Sequence, residues 1–134
     1  MARYEHLPIY RASYSLLLKI MELIRGFPRD FKYTIGENLQ KHALDMIVEI
    51  YCANSAQDKC GNIRAILKHV QFIGLFLRIS MDIRIINETR YAEFVEALAS
   101  VNKQAAAWLK SCGGREKICL KASSVESYNS ACIS

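Results

Sequence analysis

The sequence predicts an all-α protein, a single-domain four-helix bundle with up-down-up-down topology. The length of 134 residues, with 51% hydrophobic and 23% charged residues, suits one folded domain with an apolar core. Only two prolines and six glycines occur, so long helices are permitted. Apolar residues recur at helical spacing through four segments joined by short breaks, and no strand-like alternation of useful length competes with this pattern.

The first helix is predicted over Pro8–Arg25. Pro8 suits a first helical turn, where a backbone N–H would lack an intrahelical partner anyway. Gly26 favours a C-terminal cap, and the residue before Pro28 avoids the α region, so the helix ends there. The predicted inward face consists of Ile9, Ala12, Leu16, Ile20 and Leu23.

The second helix is predicted to begin at Thr34. Thr34 and Glu37 have the spacing of a capping box, in which each side chain accepts a hydrogen bond from a backbone N–H at the helix start. The polar run at 54–58 is the predicted loop after this helix. The predicted inward face consists of Ile35, Leu39, Ala43, Met46, Ile47 and Ile50.

The third helix is predicted from Lys59 or Asn62 to Ile83, and the fourth from Asn87 to Cys112. The third is apolar on more than one side, so we expect it to be buried on most faces. Asn87 is a favourable N-cap, and the glycines that follow Cys112 end the fourth helix. Its apolar residues at helical spacing are Tyr91, Phe94, Val95, Leu98, Val101, Ala105, Trp108 and Leu109.

Residues 1–112 are therefore predicted to form the bundle, and residues 113–134 a polar tail. The tail is rich in serine and poor in large apolar side chains. Such a segment lacks the apolar surface that would offset the entropy lost on ordering. We expect the tail to be mobile.

Helices one and two each carry a second apolar line that one bundle core does not cover. Exposed apolar lines usually mark an interface, so a homo-oligomer is predicted. The predicted interface residues are Tyr14, Leu17, Met21, Leu44, Val48 and Tyr51, with Tyr10 and Ile24 on the same line of helix one. The alternative is a broad helix face that is buried within the monomer.

The sequence lacks the patterns of a catalytic or metal centre, so we expect no enzyme activity, metal or cofactor. The histidines His6, His42 and His69 belong to no H-E-x-x-H or Glu-x-x-His pair. No phosphate-binding or dinucleotide-binding glycine pattern occurs. The acidic pairs at helical spacing, such as Asp45 with Glu49, are typical of solvated surfaces.

Five cysteines occur, and none forms a C-x-x-C pair; they are Cys52, Cys60, Cys112, Cys119 and Cys132. The first residues lack the apolar core of a signal peptide, so a reducing, cytoplasmic location and free, dispensable thiols are predicted. No run of about 18 apolar residues is present, so no membrane span is expected.

The basic residues suggest an anionic partner. The formal charge is +5 and the isoelectric point is near 9.0, a balance that favours nucleic acid or another anionic surface. The candidate phosphate contacts are Arg11 and Lys19 on helix one and Arg64 and Lys68 on helix three. The alternative is a solvated face. Arg78 follows the same line of helix three, but we expect it to pair with Glu93 or Glu96 inside the bundle.

Several short segments, in this order and spacing, resemble the accessory variability determinant proteins of diversity-generating retroelements. They are Phe27-Pro28-Arg29, Tyr33-Thr34-Ile35-Gly36-Glu37, Leu77-Arg78-Ile79-Ser80, Tyr91 and Ala107-Trp108-Leu109-Lys110. The resemblance covers residues 7–111. The chain is also similar to a sister group, the proteins encoded within intervening sequences of ribosomal RNA genes. That group often carries an Asn-Ile-Ala-Glu-Gly-like segment after helix two, where this chain has Ala53-Asn54-Ser55-Ala56-Gln57.

The resemblance implies a bundle that assembles into a homopentameric, barrel-like ring with a positively charged surface. It also implies a non-catalytic accessory protein that binds a reverse transcriptase and its template RNA, with DNA as a further candidate ligand, and supports mutagenic complementary-DNA synthesis. The alternatives are an intervening-sequence-type protein and a purely structural helical oligomer or adaptor without a nucleic-acid role.

Overall fold

Four long helices make up the fold of the computed structural model, which describes residues 6–113. They are α1 (Pro8–Arg25), α2 (Glu37–Ser55), α3 (Cys60–Asp82) and α4 (Glu88–Ser111), and the described part of the chain contains no strand. The all-α prediction is confirmed. The tail predicted for residues 113–134 lies, after Gly113, outside the described residues.

The helices form a four-helix bundle in which neighbours in sequence are neighbours in space. The α2 helix packs against α1 and α3, and α4 packs against α3 and closes the bundle on α1. Connections of four and five residues, at 56–59 and 83–87, join α2 to α3 and α3 to α4. Such short connections make successive helices antiparallel, as expected for up-down-up-down topology. No helix among residues 6–113 has the length and apolar character needed to span a membrane.

The core lies along the bundle axis and takes residues from every helix. The side chains with the least exposure include Leu16, Ile20, Leu39, Met46, Ile50, Ile63, Ile66, Ile73, Leu77 and Leu109. Their spacing of three and four residues is the one that predicted the helices. The α3 helix is less enclosed than its composition suggested, because Leu75 is exposed and Phe72 and Phe76 are only half-buried.

The inward face of α1 is wider than predicted. The sequence predicts Leu17 and Ile24 on a second, exposed line, but they are 6% and 8% exposed and belong to the core. Ser13 is also fully buried, and its hydroxyl has no hydrogen-bond partner among the described residues. Because α1 packs against both α2 and α4, the buried side of α1 is wide enough to contact both helices. The prediction of Leu17 as an exposed interface residue is therefore wrong.

The start of α2 also differs from the prediction. Helical structure begins at Arg29–Phe31 and continues through a π-helical turn, Lys32–Gly36, directly into α2. Thr34 lies inside this segment, and its hydroxyl donates back to the carbonyl oxygens of Asp30 and Phe31 at 3.3 and 3.4 Å. It therefore caps nothing, and the capping-box prediction is wrong. Local patterns cannot reveal that helical structure has already begun upstream.

The end of α1 and both ends of α3 and α4 agree with the sequence, whereas α2 continues to Ser55, two residues into the predicted loop at 54–58. The side-chain oxygen of Asn87 accepts a hydrogen bond from the backbone N–H of Arg90 at 2.7 Å, which confirms the predicted N-cap of α4. At the other end, Gly113 has a φ of +89°, in the left-handed region that favours glycine. The bounds of α3 fall within the predicted range.

Candidate nucleic-acid and subunit interfaces

An apolar surface runs along the outside of α1 and α2, which pack against each other. We call Tyr14, Met21, Leu44, Val48 and Tyr51 the α1–α2 apolar face. Tyr14, Leu44, Val48 and Tyr51 are between 40% and 55% exposed, whereas Met21 is half-buried. The ring of Tyr14 stacks on that of Tyr10, with centroids 5.8 Å apart. Five of the six residues predicted for a subunit interface thus lie on the outside of α1 and α2. The sixth, Leu17, is buried in the core.

The four predicted phosphate contacts are all exposed, but they do not form one surface. Arg64 and Lys68 lie on the outward side of α3, opposite the buried line of Ile63, Ile66 and Val70. Arg11 and Lys19 lie on α1, and α1 and α3 face each other across the diagonal of the bundle. Their exposed sides therefore point away from each other.

The two basic pairs have different surroundings. Arg64 and Lys68 form no ion pair with any described residue, and the Lys68 ammonium lies 6.0 Å from the centre of the Phe72 ring. Lys19 lines a shallow groove between α1 and α4 in which the three carboxylates of Glu22, Glu93 and Glu96 outnumber the two cations, Lys19 and Arg90. Because acids surround Lys19, the α3 pair is the better candidate for phosphate contacts.

Arg78 is not the internal partner of Glu93 or Glu96 that was expected. Its side chain is exposed, and its Nε lies 3.3 Å from Oδ1 of Asp82, four residues on. This hydrogen bond raises the pKa of the Arg78 guanidinium above its ordinary value, with a further contribution from Tyr91. The prediction of an internal pair is wrong because the Arg78 side chain is exposed and interacts with Asp82 and Tyr91 instead.

A mixed polar groove, which the sequence did not predict, lies where the end of α1 meets the π-turn and the start of α2. We call it the Tyr33 groove. Its polar walls contain the cations of Arg25, Lys32 and Lys41, the carboxylates of Glu37 and Asp45, and Tyr33, and Met21 and Leu44 form its border with the α1–α2 apolar face. The only sequence signal was an aromatic residue beside basic ones at 29–33.

A histidine pair joins α2 to α3. The Nδ1 atoms of His42 and His69 lie 3.0 Å apart, and the ring of His42 stacks on Phe72 with a centroid distance of 4.9 Å. Burial lowers the pKa of both imidazoles, and the charge of His69 lowers the pKa of His42 further. The negative charges of Asp45 and Glu49 each raise the pKa of His69, but by less than burial lowers it. The separation of the histidines in sequence concealed this contact.

A cysteine pair joins the start of α3 to the end of α4. The Sγ atoms of Cys60 and Cys112 lie 3.1 Å apart, and both thiols are free and half-buried. Their hydrogen bond raises the pKa of the Cys60 thiol. Cys52 is exposed, and Cys119 and Cys132 lie outside the described residues. Ligand spacing in the sequence does not reveal such a long-range pair.

Within residues 6–113, no group of three or more histidine, cysteine or acidic side chains is arranged to hold a metal ion. Comparison with protein-family models, curated proteins and solved structures finds no match for the chain. The interpretation of function therefore depends on the geometry of these surfaces and on the resemblance of the short sequence segments.

Proposed function

We propose that this protein is a non-catalytic accessory subunit of a diversity-generating retroelement, which binds the template RNA and the reverse transcriptase during mutagenic complementary-DNA synthesis. The observation that carries the RNA-binding part is the exposed pair of Arg64 and Lys68, one helical turn apart and without an acidic partner among the described residues. Two such cations on one helix line can contact neighbouring phosphates. The resemblance described above supplies the partner enzyme.

We also propose that the chain forms a homo-oligomer. The resemblance implies that this oligomer is a pentameric ring. Four large apolar side chains of the α1–α2 apolar face are at least 40% exposed, and they belong to two helices that pack together. Exposed apolar side chains on neighbouring helices are favourable to cover with a second copy of the chain. In a ring, the basic pair of α3 recurs on every subunit, which increases attraction for a polyanion.

The RNA-binding part is tested by fluorescence anisotropy with a labelled single-stranded RNA at several salt concentrations. Changing Arg64 and Lys68 together to glutamate should weaken binding and reduce the slope of log affinity against log salt by about 1.4, because each phosphate neutralised on a single strand contributes about 0.7. The matched control is Lys103→Glu with Lys110→Glu, which makes the same change in charge on exposed positions of α4.

The control variant should retain most of the affinity, since only the overall charge changes. Helicity and oligomer size should be unchanged in both variants. If the α3 variant binds RNA like the parent at every salt concentration, the basic pair is a solvated face. RNA then binds elsewhere on the chain. If the parent itself binds no RNA, a structural oligomer or adaptor, which the α1–α2 apolar face favours, is the better interpretation.

A further inference from the structure

The Tyr33 groove is shaped by an irregularity in the backbone. The π-helical turn Lys32–Gly36 interrupts the regular helix, and Lys32 and Tyr33 both line the groove. Gly36 allows the turn to pack closely on α1, because a Cβ atom there would lie 3.0 Å from Cγ2 of Ile24. Single π-helical turns next to α-helices occur frequently at functional sites. The shape of the groove therefore depends on the backbone of the fold.

The side chains of the groove combine three kinds of chemistry. Tyr33 is 65% exposed, the largest exposed fraction among the large hydrophobic side chains described. Arg25, Lys32 and Lys41 form no ion pair within the described part of the chain. The carboxylates of Glu37 and Asp45 add hydrogen-bond acceptors to the same walls.

We propose that the Tyr33 groove binds an unpaired nucleotide of single-stranded RNA. The base stacks on the ring of Tyr33, the flanking phosphates contact Lys32, Lys41 and Arg25, and the carboxylates accept hydrogen bonds from the ribose 2′-hydroxyl or from base amino groups. This inference rests on the proposed function, because that function identifies the ligand as RNA. It adds a second RNA contact, formed by α1, the π-turn and α2 and not by Arg64 and Lys68 of α3.

The charge balance of the groove supports a nucleotide over a simple anion. Three cations face two carboxylates, so the excess positive charge is small and gives a free phosphate little electrostatic stabilisation. A nucleotide matches all three kinds of group, because it offers a π-face, a phosphate and hydrogen-bond donors. Stacking on an exposed aromatic ring is also tolerant of base identity, as a protein that tracks a single strand requires.

The test measures the affinity of a short fluorescein-labelled oligouridylate for the full chain and for three groove variants. Tyr33→Ala should weaken binding by about 5- to 150-fold, the range for one stacked base, without changing the salt slope. Tyr33→Phe keeps the ring and should bind like the parent. Lys32→Gln should reduce the salt slope by about 0.7, the contribution of one phosphate. None of these positions is buried, so the variants should fold.

Ultraviolet cross-linking of the same oligonucleotide carrying 5-bromouridine should modify the peptide that contains Tyr33. The inference is overturned if Tyr33→Ala and Lys32→Gln bind like the parent while the Arg64 and Lys68 double variant is weakened, because RNA binding then belongs to α3 alone. If the parent binds no RNA at any salt concentration, both the proposed function and this inference fall.

Discussion

Oxidation of the Cys60 and Cys112 thiols should link the start of α3 to the end of α4 and stabilise the bundle. The two sulfur atoms lie 3.1 Å apart, in positions 52 residues apart in the sequence. Closing a loop of this length lowers the entropy of the unfolded chain by an amount equivalent to about 4 kcal/mol. For a chain of this size, each 1 kcal/mol added to the free energy of unfolding raises the melting temperature by about 4 °C. The melting temperature should therefore rise by about 15 °C.

The assay compares melting temperatures after treatment with glutathione disulfide and after reduction. The reaction transfers two electrons from the thiols to glutathione disulfide and releases two glutathione thiols. Incubation above pH 8 compensates for the raised pKa of Cys60. Cys60→Ser should abolish the shift, and Cys52→Ser, the matched control at an exposed thiol, should retain it. Peptide mapping that joins Cys60 to Cys119 or Cys132, or an unchanged melting temperature, would refute the reasoning.

Three further results are expected from single substitutions. Gly74→Ala should raise the free energy of unfolding by about 0.5–1 kcal/mol in urea titrations, because alanine favours the helix and the nearest atom to the added methyl lies at an ordinary 3.8 Å. A lower free energy of unfolding would mean that α3 has no room there. The lowered pKa values of His42 and His69 mean that the unfolded chain binds more protons, so stability should fall as pH drops below their ordinary value of 6.5. His69→Gln should reduce this pH dependence, and an unchanged profile would contradict the role of the pair. Leu44→Glu should lower the assembly mass in light scattering while helicity is retained, whereas Leu17→Glu should unfold the chain, because it places a charge in the core. A parent protein with the 15.3 kDa mass of one chain would contradict the predicted assembly.

The sequence was sufficient for the helices because their spacing and end signals are local. Ile9, Leu16 and Ile20 mark one face of α1, and Asn87 signals the start of α4 without any tertiary information. Local patterns failed where neighbouring segments decided the outcome. Thr34 has the spacing of a cap, but the helical turn that precedes it leaves it inside a helix.

The width of a buried stripe and the contacts between distant residues depend on tertiary packing, which one sequence does not reveal. Leu17 is buried because α1 has two neighbours, and Arg78 is exposed because it pairs with Asp82 on its own helix and not with Glu93 or Glu96. The pairs His42–His69 and Cys60–Cys112 join separate helices, so no spacing rule indicates them.

The α3 basic pair was visible in the sequence as a line of charge at helical spacing. The structure adds that this line has no acidic partner among the described residues and lies apart from the basic residues of α1. It also adds the Tyr33 groove, which requires the π-turn and the close approach of Gly36 to Ile24. A backbone irregularity of this kind has no reliable signature in an amino-acid pattern.

Co-purification tests whether this chain is an accessory subunit of a reverse transcriptase. The tagged chain is expressed together with any reverse transcriptase encoded beside its gene, captured, treated with nuclease and analysed by size-exclusion chromatography with light scattering. The enzyme should co-elute with an oligomer of this chain, and template RNA should join the complex when nuclease is omitted. Separate elution of the two proteins under both conditions, or a gene with no reverse transcriptase beside it, would contradict the claim.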